Sequence, residues 1–220
     1  MDYAPILVLV LSFICLLAIG TPVAWSIAIS SLLTLLVSIP IMPAATTISQ
    51  RMGTGLDSFA LLAIPLFILS GELMNKGGIA HRLIAFAKTL VGALPGGLAL
   101  INIISAMLMG AIAGSAMAAA SAMGSILGPE MEKEGYSKEF GAAVNITAAT
   151  TGLVIPPSNV LIVYSLASGG ASIAALFLAG YIPGILTGLF LMIVASFWAK
   201  KKGYKVGKRS SLKAVFKTFI

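Results

Sequence analysis

Long apolar stretches separated by short polar punctuation set the pattern of this chain. Residues 6–19, 23–39, 59–73, 98–112, 142–168 and 173–199 are runs rich in Leu, Ile, Val, Ala and Phe with little charge inside them. Their lengths, some near the ~20 residues that cross a bilayer and others shorter or interrupted, predict six transmembrane passes or half-passes. Gly20-Thr21-Pro22 is the only break between the first two runs, which predicts a tight helical hairpin. Residues 79–94 follow a different pattern. Ile79, Leu83, Phe86, Leu90 and Val91 recur at three-to-four-residue steps while His81, Arg82 and Lys88 stand off that stripe, the signature of an amphipathic helix in the membrane interface. Residues 43–57 are polar and contain Gly53 and Gly55, which predicts an external loop or a short surface helix.

Two runs carry interruptions that an ordinary span would not tolerate. Inside the fifth stands Thr151-Gly152-Leu153-Val154-Ile155-Pro156-Pro157-Ser158-Asn159. Proline lacks the N–H that a helix needs and disfavours helical geometry at the residue before it, so Pro156-Pro157 unwinds the span. Carbonyls freed at membrane depth are tolerable only where they line a protein-buried cavity or coordinate something, which makes a broken helix the mark of an ion or substrate site. A simple proline kink is the alternative; the polar Ser158 and Asn159 beside the prolines weigh against it. The second interruption is Gly110, Gly114 and Ser115 at the centre of residues 98–127, flanked by Ala116, Ala118, Ala119, Ala120, Ser121 and Ala122. Roughly thirty residues are too few for two spans of ~20 and enough for two half-helices, which predicts a re-entrant hairpin with its tip at Gly114-Ser115. One long small-residue helix packed in a bundle is the alternative. A helix starting at Ser115 offers N–H groups to an anion, and the carbonyls before it can face a cation. Asn145, Thr147, Thr150 and Thr151 serve either the same cavity or helix-packing hydrogen bonds.

Composition agrees with a bilayer as solvent. The 220 residues are 59% hydrophobic and 10% charged, with mean hydropathy +1.05, whereas a soluble domain carries about a quarter charged residues. Cys15, the single cysteine, lies in the first run; it excludes an internal disulfide and is expected to pack. Met1-Asp2-Tyr3 lacks the lysine or arginine of a secretory signal, so the first segment is expected to remain as a transmembrane helix.

Charge orients these elements. Of the 14 basic residues, eight (Lys200, Lys201, Lys202, Lys205, Lys208, Arg209, Lys213, Lys217) follow Ala199 with no acid among them. A basic block beside a transmembrane end predicts the cytoplasmic side and contact with anionic lipid headgroups; its juxtamembrane position argues against nucleic acid. Counting back, the last span starts outside and the broken span starts inside, near the charged loop 130–139. Residues 98–127 then enter and leave on the cytoplasmic side, Lys76, Arg82 and Lys88 lie inside, and the N-terminus is periplasmic. Arg51 alone departs from this scheme. His81, the only histidine, is expected at headgroup level rather than in a proton relay.

The segments Leu62-Ala63-Ile64-Pro65-Leu66-Phe67-Ile68-Leu69-Ser70-Gly71-Glu72-Leu73-Met74, Gly110-Ala111-Ile112-Ala113-Gly114-Ser115-Ala116 and Ile155-Pro156-Pro157-Ser158 occur in an order that resembles a known family. With Gly135-Tyr136, Phe140 and the small polar run 143–151, the chain from about residue 61 to 186 is similar to the large membrane (M) subunit of tripartite ATP-independent periplasmic (TRAP) transporters. This subunit falls within the ion transporter superfamily of elevator-type carriers. One departure is Ala113, where the family often has serine, so no side-chain oxygen is available there.

The resemblance implies an all-α polytopic membrane protein of two inverted repeats, each with scaffold helices, a re-entrant hairpin and a broken helix. Only one hairpin and one broken helix occur here, without an internal repeat, so the chain reads as the N-terminal half, one inverted-repeat unit. Its parts are a scaffold hairpin and external loop (1–60), a third span and interfacial helix (61–95), the re-entrant hairpin (96–128), a cytoplasmic loop and broken helix (129–170), the last span (171–200) and a basic cytoplasmic connector (201–220). Implied too is sodium-coupled uptake of an organic acid, of the C4-dicarboxylate, sialic acid or sugar acid class, across the bacterial inner membrane. The implied partners are a small membrane (Q) subunit, a periplasmic substrate-binding protein and the remaining C-terminal half. Sodium takes about five or six oxygens, and Gly114, Ser115, Ile155, Pro156 and Ser158 supply carbonyls and hydroxyls without a carboxylate. Ser115, Asn145, Thr151, Ser158 and Asn159 are the implied substrate residues. Neither element contains an acid, which favours sodium over proton coupling, and no cofactor besides the coupling ion is expected. Catalysis is not: a hydrolase would need a base near Ser115, and metal-ligand clusters and phosphate-cradling loops are missing from the sequence. A passive channel or a structural membrane subunit is the alternative reading.

Overall fold

The computed structural model describes residues 3–57, 59–204 and 207; the connector expected over 201–220 lies mostly outside them. Among these residues there are ten α-helices, one short 3-10 turn and no strand. The chain divides near residue 59 into two compact units.

The first unit contains α1 (Ala4–Ala18), α2 (Val23–Ser38) and α3 (Ile41–Leu56). Gly20, at φ +87°, reverses the chain between α1 and α2, which pack as the expected hairpin. Ser26 and Ser30 of α2 are buried; Ser30 satisfies its hydroxyl on the Ile27 carbonyl at 3.1 Å. Cys15 is exposed, so the packing role expected for it is absent from this unit. The polar stretch 43–57 forms most of a four-turn helix rather than a loop. Pro43 sits in its first turn, where a missing N–H costs little. Thr46, Ser49 and Thr54 turn their hydroxyls onto the carbonyls four residues back at 2.9, 2.9 and 2.8 Å, so polar side chains coexist with the helix.

The second unit contains α4 (Phe59–Lys76), α5 (Ile79–Val91), α6 (Gly97–Ala113), α7 (Ala116–Lys133), α8 (Lys138–Ala149), α9 (Asn159–Ala167) and α10 (Ile173–Lys202). Helix α6 is its axis. It is apolar apart from the buried Asn102 and Ser105 and is enclosed by α5, α7, α8, α10 and the 3-10 turn. Ile101, Ile103 and Met109 of α6 meet Met123, Leu127 and Met131 of α7 in the core. The buried line of α5 is Ala80, Ile84 and Ala87, one residue off the stripe read from its larger side chains; Leu90 is exposed. Small residues let α5 approach α6 closely, and size is what the hydrophobic pattern alone does not weigh.

Helix α7 does not stop near residue 128. It runs through Pro129 to Lys133, so the charged loop shortens to a turn around Gly135 (φ +88°), and Ser137 caps α8 by accepting from the Phe140 N–H at 3.3 Å. Tyr136 is buried there against Tyr204, with ring centroids 4.1 Å apart; burial pushes its hydroxyl above the usual phenol range. The nearby ion pairs Lys88–Glu130 (3.4 Å) and Lys138–Glu132 (3.5 Å) are solvent-facing and contribute little. Helix α10, at 30 residues, is long and apolar enough to cross a bilayer.

Candidate functional site

A chain reversal and a helix break meet beside α10. The first joins α6 to α7. Gly114 ends α6 in the left-handed region at φ +61°, and Ser115, in extended geometry, caps α7 by accepting from the Ala118 N–H at 3.4 Å. This is the expected two-helix hairpin with its tip at Gly114-Ser115. The second is the break after α8. The helix tightens to a 3-10 turn over Thr150–Leu153, Pro156-Pro157 carries a cis peptide, and α9 begins after Ser158. Ser158 is fully buried; its Oγ accepts from the Leu161 N–H at 3.3 Å and donates to the Leu153 carbonyl at 2.6 Å, stapling the break across five residues.

The tip and the break touch through backbone. The Asn159 N–H donates to the Gly114 carbonyl at 3.3 Å. A Cβ on Gly114 would stand 2.7 Å from the Pro157 carbonyl oxygen, and a Cβ on Gly110 would run into the Gly152 Cα. On the other flank, Gly180 of α10 lies against the Val154 carbonyl and Gly184 against the Ile155 side chain, each too close for a Cβ. Gly71 of α4 meets Ala113 just before the tip. Small residues at five places thus let main chain approach main chain. The spacing of Gly180, Gly184 and Gly188 carried that signal, and sequence reasoning did not use it.

Of the residues expected to hold an ion, Gly114 and Ser115 lie on the tip and Ile155, Pro156 and Ser158 on the break facing it. Among the described residues no hydrogen bond reaches the carbonyls of Ile155, Pro156 or Pro157, and the Asn159 Oδ1 is buried without a partner. Ionisable side chains are absent from residues 97–128 and 140–163. The local field comes from helix ends: α6 and the 3-10 turn present carbonyls, and α7 and α9 present N–H groups. Among the described residues no group of three or more His, Cys, Asp or Glu gathers anywhere.

Other candidates fall elsewhere. Asn145 lies before the break, and its Nδ2 donates to the Ala120 carbonyl at 2.8 Å, tying α8 to the second limb of the hairpin. Thr147, Thr150 and Thr151 donate to carbonyls of their own helix at 2.7, 2.7 and 2.6 Å. Thr151 is buried beside the Gly110–Gly152 contact. Asn145 makes the inter-helix bond of the packing reading, yet its Oδ1 is buried without a partner among the described residues; the threonine bonds stay within their own segment.

A family model described as "Tripartite ATP-independent periplasmic transporter, DctM component" matches residues 10–220. The chain belongs to this DctM family. This is a family of polytopic membrane permeases, not of enzymes. An uncharacterized Salmonella typhimurium protein, YgiK, is 55% identical over 98% of this chain and 49% of its own length. Two Vibrio cholerae relatives carry functional names. The C4-dicarboxylate TRAP transporter large permease DctM is 40% identical over 90% of this chain and 44% of its own length. The sialic acid TRAP transporter large permease SiaM is 37% identical over 93% and 48%. The chain spans about half the length of the curated relatives it matches. Identity hardly distinguishes DctM permeases named for chemically unlike acids, so overall similarity does not select a substrate.

Proposed function

We propose that this chain is the N-terminal half of the membrane subunit of a sodium-coupled, binding-protein-dependent carrier of organic acids in the bacterial inner membrane. One observation carries the ion assignment. The adjacent carbonyls of Ile155, Pro156 and Pro157 accept no hydrogen bond within the described residues, and they occupy a break closed by the Gly114-Ser115 tip. Backbone oxygens left without donors at membrane depth are stabilised by a cation. Ser115 and Ser158 accept one capping bond each, and a hydroxyl has two lone pairs, so each keeps one for an ion. Sodium between tip and break would join the two into one rigid face. The N-termini of α7 and α9, with Asn159, would then meet the carboxylate of the substrate.

In this reading α6 and α7 form a re-entrant hairpin open to the cytoplasm, the unit is one of two inverted repeats, and transport is elevator-like. The rest of the large subunit completes the site. A small membrane (Q) subunit and a periplasmic binding protein complete the three-part system named in the family description. The substrate is an organic acid of the C4-dicarboxylate, sialic acid or sugar acid class.

Removing one ligand oxygen of an ion weakens binding by about 1 kcal/mol, roughly fivefold. Ser115→Ala or Ser158→Ala in the complete permease is therefore expected to raise the sodium concentration for half-maximal uptake about fivefold. Both are also helix caps worth ~1 kcal/mol, so protein level and Tm are measured alongside. Ser158→Thr, which keeps the hydroxyl, should restore sodium dependence. Unaltered sodium dependence in both alanine variants would place the ion elsewhere.

Topology is tested separately. In a Cys15→Ala background, cysteines at Ser137, exposed at the start of α8, and at Ser211 should react with impermeant maleimide only from the cytoplasmic side. Labelling of Ser137 from the periplasm would show that residues 98–127 cross the membrane fully.

A further inference from the structure

A groove of about 490 Å³ runs along α10, with Leu100 and Ile104 of α6 on one wall and Leu189, Ile193 and Phe197 on the other. It is apolar until its end, where Lys200 stands. Ser196, the other polar residue in it, spends its hydroxyl on the Pro95 carbonyl at 3.0 Å. From Leu189 to Lys200 a helix rises ~16 Å, close to one leaflet of a ~30 Å hydrocarbon core. The level of the headgroups is marked independently. Trp198 has the ammonium groups of Lys201 and Lys202 each 5.9 Å from its ring centre, and tryptophan beside lysine characterises the membrane interface.

We propose that this groove binds an anionic phospholipid, with one acyl chain between α6 and α10 and its phosphate on the Lys200 ammonium. Charge complementarity selects this occupant over a helix of another subunit. Among the described residues Lys200 has no ion pair, and Lys201 and Lys202 add positive charge at the same level with no acid nearby in the chain. A neutral partner helix would leave that cation unmatched; a phosphodiester neutralises it and fills the apolar groove at once. The inference rests on the membrane placement of the chain and not on the ion site, so either can fail alone.

The test uses the complete permease, purified in detergent and stripped of lipid, then supplied with phosphatidylglycerol or phosphatidylcholine. Phosphatidylglycerol should raise Tm by several degrees more than phosphatidylcholine, and native mass spectrometry should retain one phosphatidylglycerol per permease. Lys200→Gln should abolish that preference while Lys201→Gln keeps it. Ile193→Trp, at a position 63% exposed where bulk is tolerated, should fill the groove and remove the bound lipid; Leu189→Trp serves as the second filling variant. The proposal is overturned if both filled variants retain the lipid, because the lipid is then held outside the groove. An unchanged preference in Lys200→Gln overturns it too, as does an equal shift from glycerol 1-phosphate alone, which would mean a headgroup site without a chain.

Discussion

Replacing Pro156 and Pro157 together by alanine should abolish sodium-driven uptake by the complete permease, at least tenfold, while the amount of folded protein in the membrane stays level or rises. Each proline disfavours a helix by ~3 kcal/mol relative to alanine. Without them, the segment between Leu153 and Leu161 can close its own ladder, and the carbonyls of Ile155, Pro156 and Pro157 gain the donors they lack. The Asn159 N–H would then turn inward to its own helix and leave the Gly114 carbonyl. Satisfying the backbone and emptying the proposed ion site are the same event, so stability and transport should move in opposite directions. The fit of Gly180 and Gly184 to the bent chain opposes closure, but contacts of that kind are worth less than two proline penalties. Uptake assays with sodium titration, alongside Tm and membrane level, decide it. Normal transport with unchanged sodium dependence would reduce the prolines to a kink.

Gly110→Ala should be the most damaging single-methyl change in the hairpin. The new Cβ would lie on the Gly152 Cα, and both groups are main chain, so no flexible side chain can move aside. Helix α6 and the 3-10 turn must separate. Overpacking of this kind costs ~1–3 kcal/mol, against the ~1 kcal/mol that alanine gains over glycine in a helix interior. Separation also parts Asn159 from Gly114, so uptake should fall along with Tm. Gly53→Ala in α3, where nothing lies within 4 Å of the added carbon, is the control and should lower neither. Equal stability of Gly110→Ala and wild type would refute the close backbone approach.

The breaks were the legible part of the site, because Pro156-Pro157 and Gly114-Ser115 act on the backbone wherever they occur. Their meeting was harder to read. It depends on Gly110, Gly152, Gly180 and Gly184, which say only that something comes close and not what. Asn145 shows the limit for side chains: a carboxamide before a break suits a substrate or a neighbouring helix equally, and in the structure its Nδ2 holds the Ala120 carbonyl at 2.8 Å while its Oδ1 is buried without a partner among the described residues. Residues 43–57 left a loop and a surface helix both open, because hydroxyl groups that look solvent-directed in sequence can turn back on their own turn. The end of α7 also lay beyond the hairpin limit expected at residue 128: the helix carries Pro129 in its interior, and Glu130, Met131, Glu132 and Lys133 continue it.

The length of α10 bears on the depth of the proposed ion site. From its cap at Ser172 to Trp198 the helix rises ~39 Å, which exceeds a ~30 Å hydrocarbon core. Standing upright, it would drive apolar residues into water at one end; a lean of ~40° absorbs the excess. Gly184 and Gly180, which carry the break, are ~21 and ~27 Å from Trp198 along the axis, and the lean reduces those depths to ~16 and ~21 Å. The proline break then falls between the bilayer midplane and ~6 Å beyond it, counted from the Lys200 leaflet. Because the lean answers to hydrophobic mismatch, a thicker bilayer would set α10 more upright and displace the site away from the Lys200 leaflet. Sodium coupling should therefore vary with acyl-chain length in reconstituted membranes.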